Sequence, residues 1–127
     1  MKDSNTHNCP FCNDELDVIE ESEHCFAIRD GYPVSKGHTL IISKRHVSDF
    51  HDLNKLEQEN CWDLVNKIRK KLESELNPDG FNIGINVGEA AGQTVFHTHI
   101  HVIPRYEGDI ENPRGGIRNV IPGMGDY

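Results

Sequence analysis

A chain of 127 residues and 14.4 kDa fits one domain, since single domains run mostly to about 100–150 residues. Hydrophobic residues make up 35%, enough for one modest core, and no stretch approaches the ~20 apolar residues of a membrane-spanning helix. Thirteen basic against twenty-one acidic residues leave a formal charge of −8, which argues against binding a nucleic-acid polymer through its phosphates. A small anionic substrate remains open to a site rich in hydrogen-bond donors. The first eight residues carry no apolar run, so a secretory signal is not expected and the cytoplasm is the expected location. In that reducing compartment the four cysteines are expected as thiols or metal ligands and not as disulfides.

Residues 1–15 read as a polar arm carrying one tight motif, Cys9-Pro10-Phe11-Cys12. Two short runs rich in Val, Ile and Phe follow, at 16–21 and 24–29, and the short link between them predicts a hairpin. Asp30-Gly31-Tyr32-Pro33 and Ser35-Lys36-Gly37 are turn chemistry, and 39–42 reads as a buried strand. Asn54 followed three residues later by Glu57 has the form of a capping box. Cys61, Leu64, Val65, Ile68, Leu72 and Leu76 then form one helical stripe, ended by Asn77-Pro78-Asp79-Gly80. Residues 81–87 alternate with period two and predict a half-buried strand. A turn at 88–92 and a second strand at 95–103 come next. Residues 104–127, with three prolines and many glycines, read as a loop-rich tail. These elements predict a single α+β domain over 1–127, an antiparallel sheet of about five strands with one long helix on one face.

The most informative segment is His97-Thr98-His99-Ile100-His101. On a strand, residues two apart share a face, so the alternation predicts three imidazoles in a row on one surface, with Thr98, Ile100 and Val102 on the other. Imidazole titrates near neutral pH and can act as nucleophile, acid, base or metal ligand. Just upstream, Gly92-Gln93-Thr94 offers a close backbone approach, an amide and a hydroxyl, the chemistry of a phosphate cradle without net charge. Cys9-x-x-Cys12 has the spacing of half a tetrahedral zinc site.

Residues 88–105, with His-x-His-x-His followed by Val102 and Ile103, resemble the signature of the histidine-triad (HIT) superfamily. Residues 26–30 and 37–40 resemble it too, so the likeness covers about residues 9 to 105. The resemblance implies a HIT-like fold and an enzyme that attacks the α-phosphate of a nucleotide through a nucleotidyl-histidine. His99 would be the nucleophile. His101 would lie against the phosphate and help the leaving group, and Gln93 and Thr94 would contact the phosphate and bridging oxygen. Asp30 would hold the ribose hydroxyls, and Asn86 and His38 would line the same site. The resemblance also implies a structural zinc on Cys9, Cys12, His46 and His97, with His51 and His7 as competitors for the place of His46. Cys25 and Cys61 are expected as core thiols.

Three readings follow. The first is a hydrolase or transferase acting on dinucleoside polyphosphates such as diadenosine tetraphosphate. The second is a purine nucleoside phosphoramidase. The third is a zinc-stabilised nucleotide-binding module with little turnover. The family's nucleotide sites form in homodimers, so a homodimer is the expected state. Arg114 and Arg118 in the tail are candidates for reaching a distal phosphate.

Overall fold

The computed structural model describes residues 8–127. A five-stranded antiparallel sheet, in the order β1-β2-β3-β5-β4, carries one long helix on one face. The strands are β1 (Glu20–Glu21), β2 (Cys25–Arg29), β3 (Thr39–Ser43), β4 (Gly80–Gly84) and β5 (His99–Arg105), and α1 spans Lys55–Leu76. The expected α+β class, hairpin and helix are all present. No helix among the described residues is long and apolar enough to cross a membrane.

The helix begins where its chemistry says it should. The Asn54 side chain accepts from the Glu57 backbone N–H at 2.8 Å, and the Glu57 carboxylate accepts from the Asn54 N–H at 2.9 Å. Glu57 is buried and also takes two hydrogen bonds from the Arg45 guanidinium, at 2.9 and 3.1 Å. One carboxylate thus caps α1 and ties down the segment that carries His46. Asn54→Ala removes half of this box and is expected to cost about 1 kcal/mol, read as a lowered urea midpoint at unchanged m-value.

The stripe of α1 packs on the sheet through Cys61, Leu64, Val65, Ile68 and Leu72, against Cys25, Ala27, Ile41, Ile100 and Val102. Within this core Cys25 of β2 and Cys61 of α1 form a disulfide, with both residues almost fully buried. This corrects the expectation of two core thiols. Both lie in the core, and the packing of α1 on β2 brings the two sulfurs together.

Strand bounds shift in ways the pairing explains. β1 is shorter than expected, and β4 stops at Gly84 where its pairing with β5 ends at His101. β5 runs on through Pro104 to Arg105, beyond the expected start of the tail at 104. β3 pairs with β5 only as far as Val102, so Pro104 faces a partner on the β4 side alone, where a missing N–H is tolerated. Gly37 sits at φ +92°, and a Cβ there would come within 2.6 Å of Leu76. Only glycine lets the turn before His38 approach the end of α1 this closely.

Candidate active site

β5 alternates between half-exposed and buried positions. Ile100 and Val102 face the helix, while His99 and His101 face the other side, opposite Ile42 and Leu40 of β3. That second face carries a smaller apolar cluster of Ile28, Leu40 and Ile42, roofed by Phe11 and Leu16. A cleft of about 860 Å³ opens over it. Asp30, His38, Asn86, Gln93, Thr94, His99 and His101 all line this cleft, together with Phe11, Ile28, Tyr32 and Leu40. The hydrophobic wall was not singled out in the sequence, although Phe11 sits between the two motif cysteines.

His97 lies just before β5 and is 1% exposed, enclosed beside His99 with the Phe11 ring edge-on to both. Its Nε2–H donates to the Ser43 carbonyl at 2.6 Å, which leaves the Nδ1 lone pair pointing elsewhere. That nitrogen lies 3.4 Å from Cys9 Sγ, 3.5 Å from Cys12 Sγ and 3.1 Å from His46 Nδ1. The ligand atoms of Cys9, Cys12, His46 and His97 all lie within 4.8 Å of one another. This is the donor set of a closed tetrahedral zinc site, with one histidine oriented by a carbonyl behind it. His51 is exposed and pairs with Asp49 instead, and His7 lies outside the described residues.

Hydrogen bonds fix the tautomers on the cleft side. His99 Nδ1–H donates to the His97 carbonyl at 2.8 Å, so Nε2 keeps its lone pair. The Val34 N–H donates to His38 Nδ1 at 3.1 Å, so His38 carries its proton on Nε2. That proton points at His101 Nδ1, 2.9 Å away, with Asp30 Oδ2 at 3.4 Å. His101 is left with its own N–H on Nε2. Asp30, His38 and His101 also converge, but a protonated His38 Nε2 cannot ligate a cation. Asp30 additionally accepts from the Tyr32 N–H at 2.8 Å, so it shapes the turn as well as the cleft.

Burial pushes His38, His97 and His99 below the ordinary histidine range. His101 falls furthest, to about 4, first through burial and then through repulsion by His99 and His38. The unfolded chain therefore binds a proton between pH 6.5 and about 4 that folded His101 refuses. Stability from this group is complete above pH 6.5, is lost as pH falls through the window, and levels off below about 4. Urea midpoints measured at pH 7, 6 and 5 are expected to fall in that order, with His101→Gln flattening the slope.

Gln93 differs from the expectation of a phosphate contact. Its side chain is 3% exposed, and both amide N–H groups are engaged, with Ser48 O at 2.9 Å and Val95 O at 3.1 Å. Its carbonyl accepts from Gly88 N at 2.9 Å. No donor remains for a phosphate oxygen, and the residue instead knots the loop before the triad. The tail arginines also point elsewhere. Arg114 and Arg118 both lie over the Tyr127 ring, Arg114 meets Asp126 at 3.5 Å, and neither lines the cleft.

Comparison with known proteins gives a consistent picture. The HIT domain family matches residues 13–108. A Dictyostelium discoideum protein named bis(5'-adenosyl)-triphosphatase is 37% identical over 107 residues, covering 84% of this chain and 72% of its own. A Mycobacterium tuberculosis protein named AP-4-A phosphorylase is 33% identical over 93 residues, covering 72% of this chain and 48% of its own. The crystal structure of a zinc-bound histidine triad family protein from Mycobacterium smegmatis is similar at a TM-score of 0.75 and 37% identity, covering 82% of this chain and 79% of its own.

Proposed function

Because the chain belongs to the histidine-triad (HIT) family, as a nucleotidyl hydrolase or transferase of its type, we propose that it cleaves dinucleoside polyphosphates such as diadenosine tetraphosphate. The observation that carries this reading is the pair of tautomers on β5. His99 offers an Nε2 lone pair into the cleft while its Nδ1–H is held by a carbonyl. His99 Nε2 attacks the α-phosphorus, a P–N bond forms, and the bond from phosphorus to the bridging oxygen breaks. The ring becomes cationic, and the His97 carbonyl and the nearby Asp30 carboxylate stabilise that charge. Water, or inorganic phosphate in a transfer reaction, then attacks the nucleotidyl-histidine and restores the free imidazole. His101 donates its Nε2–H to a phosphate oxygen, and His38 holds that tautomer from behind. Asp30 suits a ribose diol, Asn86 and Thr94 suit the phosphates, and the Ile28 and Leu40 wall suits a purine base. Gln93 acts by holding the loop.

The two relatives named for adenosine polyphosphates favour polyphosphate over phosphoramidate as the substrate. The Cys9, Cys12, His46 and His97 set fits zinc, which would supply a closed four-coordinate crosslink between arm and triad. Thiolate ligands fit a reducing compartment, the cytoplasm, where the buried Cys25–Cys61 bond is shielded from small thiols. The proposed state is a homodimer, which light scattering on a sizing column tests. The free edge of β4 and exposed Val87 and Ile117 offer surface for it.

One chromatographic time course tests the reaction. Diadenosine tetraphosphate and adenosine phosphoramidate are offered together, and the tetraphosphate is expected to disappear first. Faster loss of the phosphoramidate would make the protein a phosphoramidase. Loss of neither would leave a nucleotide-binding module.

A further inference from the structure

Among the described residues, Phe11 is the ring that touches both halves of the site. It lies in the short 3-10 turn Pro10–Cys12, flanked by the two cysteines of the ligand cluster. Its ring stands edge-on to His99, with centroids 4.9 Å apart and planes at 74°. It also stands edge-on to His97, at 5.9 Å and 77°. Among the described residues the other contacts of the nucleophile are two. Its Nδ1–H bonds to the carbonyl of His97, and its ring neighbours His101 at 5.1 Å. The Nδ1 bond and the Phe11 contact both lead into the ligand cluster, one through the peptide of His97 and one through the turn between Cys9 and Cys12.

Cys9 makes no side-chain cap, and the backbone bond from Cys12 N–H to Cys9 O, at 3.1 Å, closes the turn. What fixes Phe11 in space is its packing on the Ile28, Leu40 and Ile42 patch and the anchoring of the cysteines beside it. Rotation of an imidazole about its last side-chain bond is soft, so one hydrogen bond leaves the ring free to tilt. In-line attack on phosphorus does not tolerate tilt, since a misplacement of about 1 Å can cost about 100-fold in rate.

We propose that Phe11 is a positioning residue for the nucleophile, transmitting occupancy of the Cys9–Cys12–His46–His97 site to the orientation of the His99 ring. The proposal rests on the reading of His99 as nucleophile. A residue that merely walls a base pocket changes KM, whereas a residue that aims the nucleophile changes kcat.

Phe11→Leu keeps an apolar side chain on the patch and leaves the main core untouched. Thermal melts check that it is folded at the assay temperature. In the metal-loaded protein it is expected to lower kcat about tenfold or more with KM within about threefold. Chelation is expected to lower wild-type kcat by a similar factor and to add little to Phe11→Leu, so the two losses do not multiply. A readout free of turnover is the imidazole 1H–15N spectrum of the unliganded protein, with His99 signals assigned by their absence in His99→Asn. Chelation of the wild type is expected to move the His99 signals in the direction that Phe11→Leu moves them. A raised KM at unchanged kcat, multiplying losses, or His99 signals that stay put on chelation would each overturn the proposal. A wild-type protein without turnover overturns the nucleophile reading instead, and the spectra still decide whether Phe11 couples the cluster to the ring.

Discussion

His99→Ala is expected to lower turnover of diadenosine tetraphosphate by about four to six orders of magnitude, the scale on which removing an enzyme nucleophile acts. Nucleotide affinity is expected to change by no more than about tenfold, because one neutral hydrogen bond is worth ~0.5–1.5 kcal/mol. The split follows from the geometry. The cleft is walled by Phe11, Ile28, Leu40, Asp30 and Asn86, none of which the substitution removes. The lost group is the Nε2 lone pair that the carbonyl of His97 keeps unprotonated. His101→Ala is expected to be milder, about 10²–10³-fold in kcat, as befits a lost donor to developing phosphate charge. The check is paired: steady-state turnover with isothermal titration of a non-cleavable nucleotide. Acid-quenched wild type should also carry the mass of one nucleotidyl group on the peptide containing His99. Turnover retained by His99→Ala, or a labelled peptide lacking residue 99, would remove the assigned mechanism. Equal loss of binding and turnover would point to a collapsed site.

The alternation of histidines with β-branched residues was a reliable guide to His99 and His101, because side-chain period on a strand is a local property. It does not foresee the enclosure of His97, which a long-range bond to the Ser43 carbonyl fixes. The helix, its cap and its buried stripe were legible for the same local reason as His99 and His101. The Cys25–Cys61 bond was not, since it depends on how α1 lies across β2. Gln93 shows a different limit. An amide in a glycine turn before a triad suggests ligand binding by composition, yet its hydrogen bonds run to Ser48 and Gly88, which composition cannot foresee. Half of the ligand cluster was legible from the spacing of Cys9 and Cys12. The other half came only through the family resemblance, because His46 and His97 lie 34 and 85 residues from Cys12.

Those separations set the size of the second large effect. A metal on this cluster crosslinks Cys9 to His97 across 88 positions. Closing a loop of that length removes about 4.6 kcal/mol of chain entropy from the unfolded state. For a domain of this size such a contribution corresponds to about 17 °C in melting temperature. Chelation is therefore expected to lower the melting temperature by roughly that amount and to expose the arm around Cys9 and Cys12 to proteolysis. The main core of Ile41, Leu64, Ile68, Leu72 and Ile100 contains none of the four ligands, so the apo protein should still melt cooperatively. Cys12→Ser and His46→Ala are expected to reproduce the shift and to abolish any further effect of chelator. Calorimetry with and without chelator, beside metal analysis of the purified protein, reads this directly. A melting temperature insensitive to chelator in a protein shown to hold metal would mean that the cluster does not tie the arm to the fold. An absence of bound metal at micromolar zinc would mean that Cys9, Cys12, His46 and His97 converge without serving as ligands.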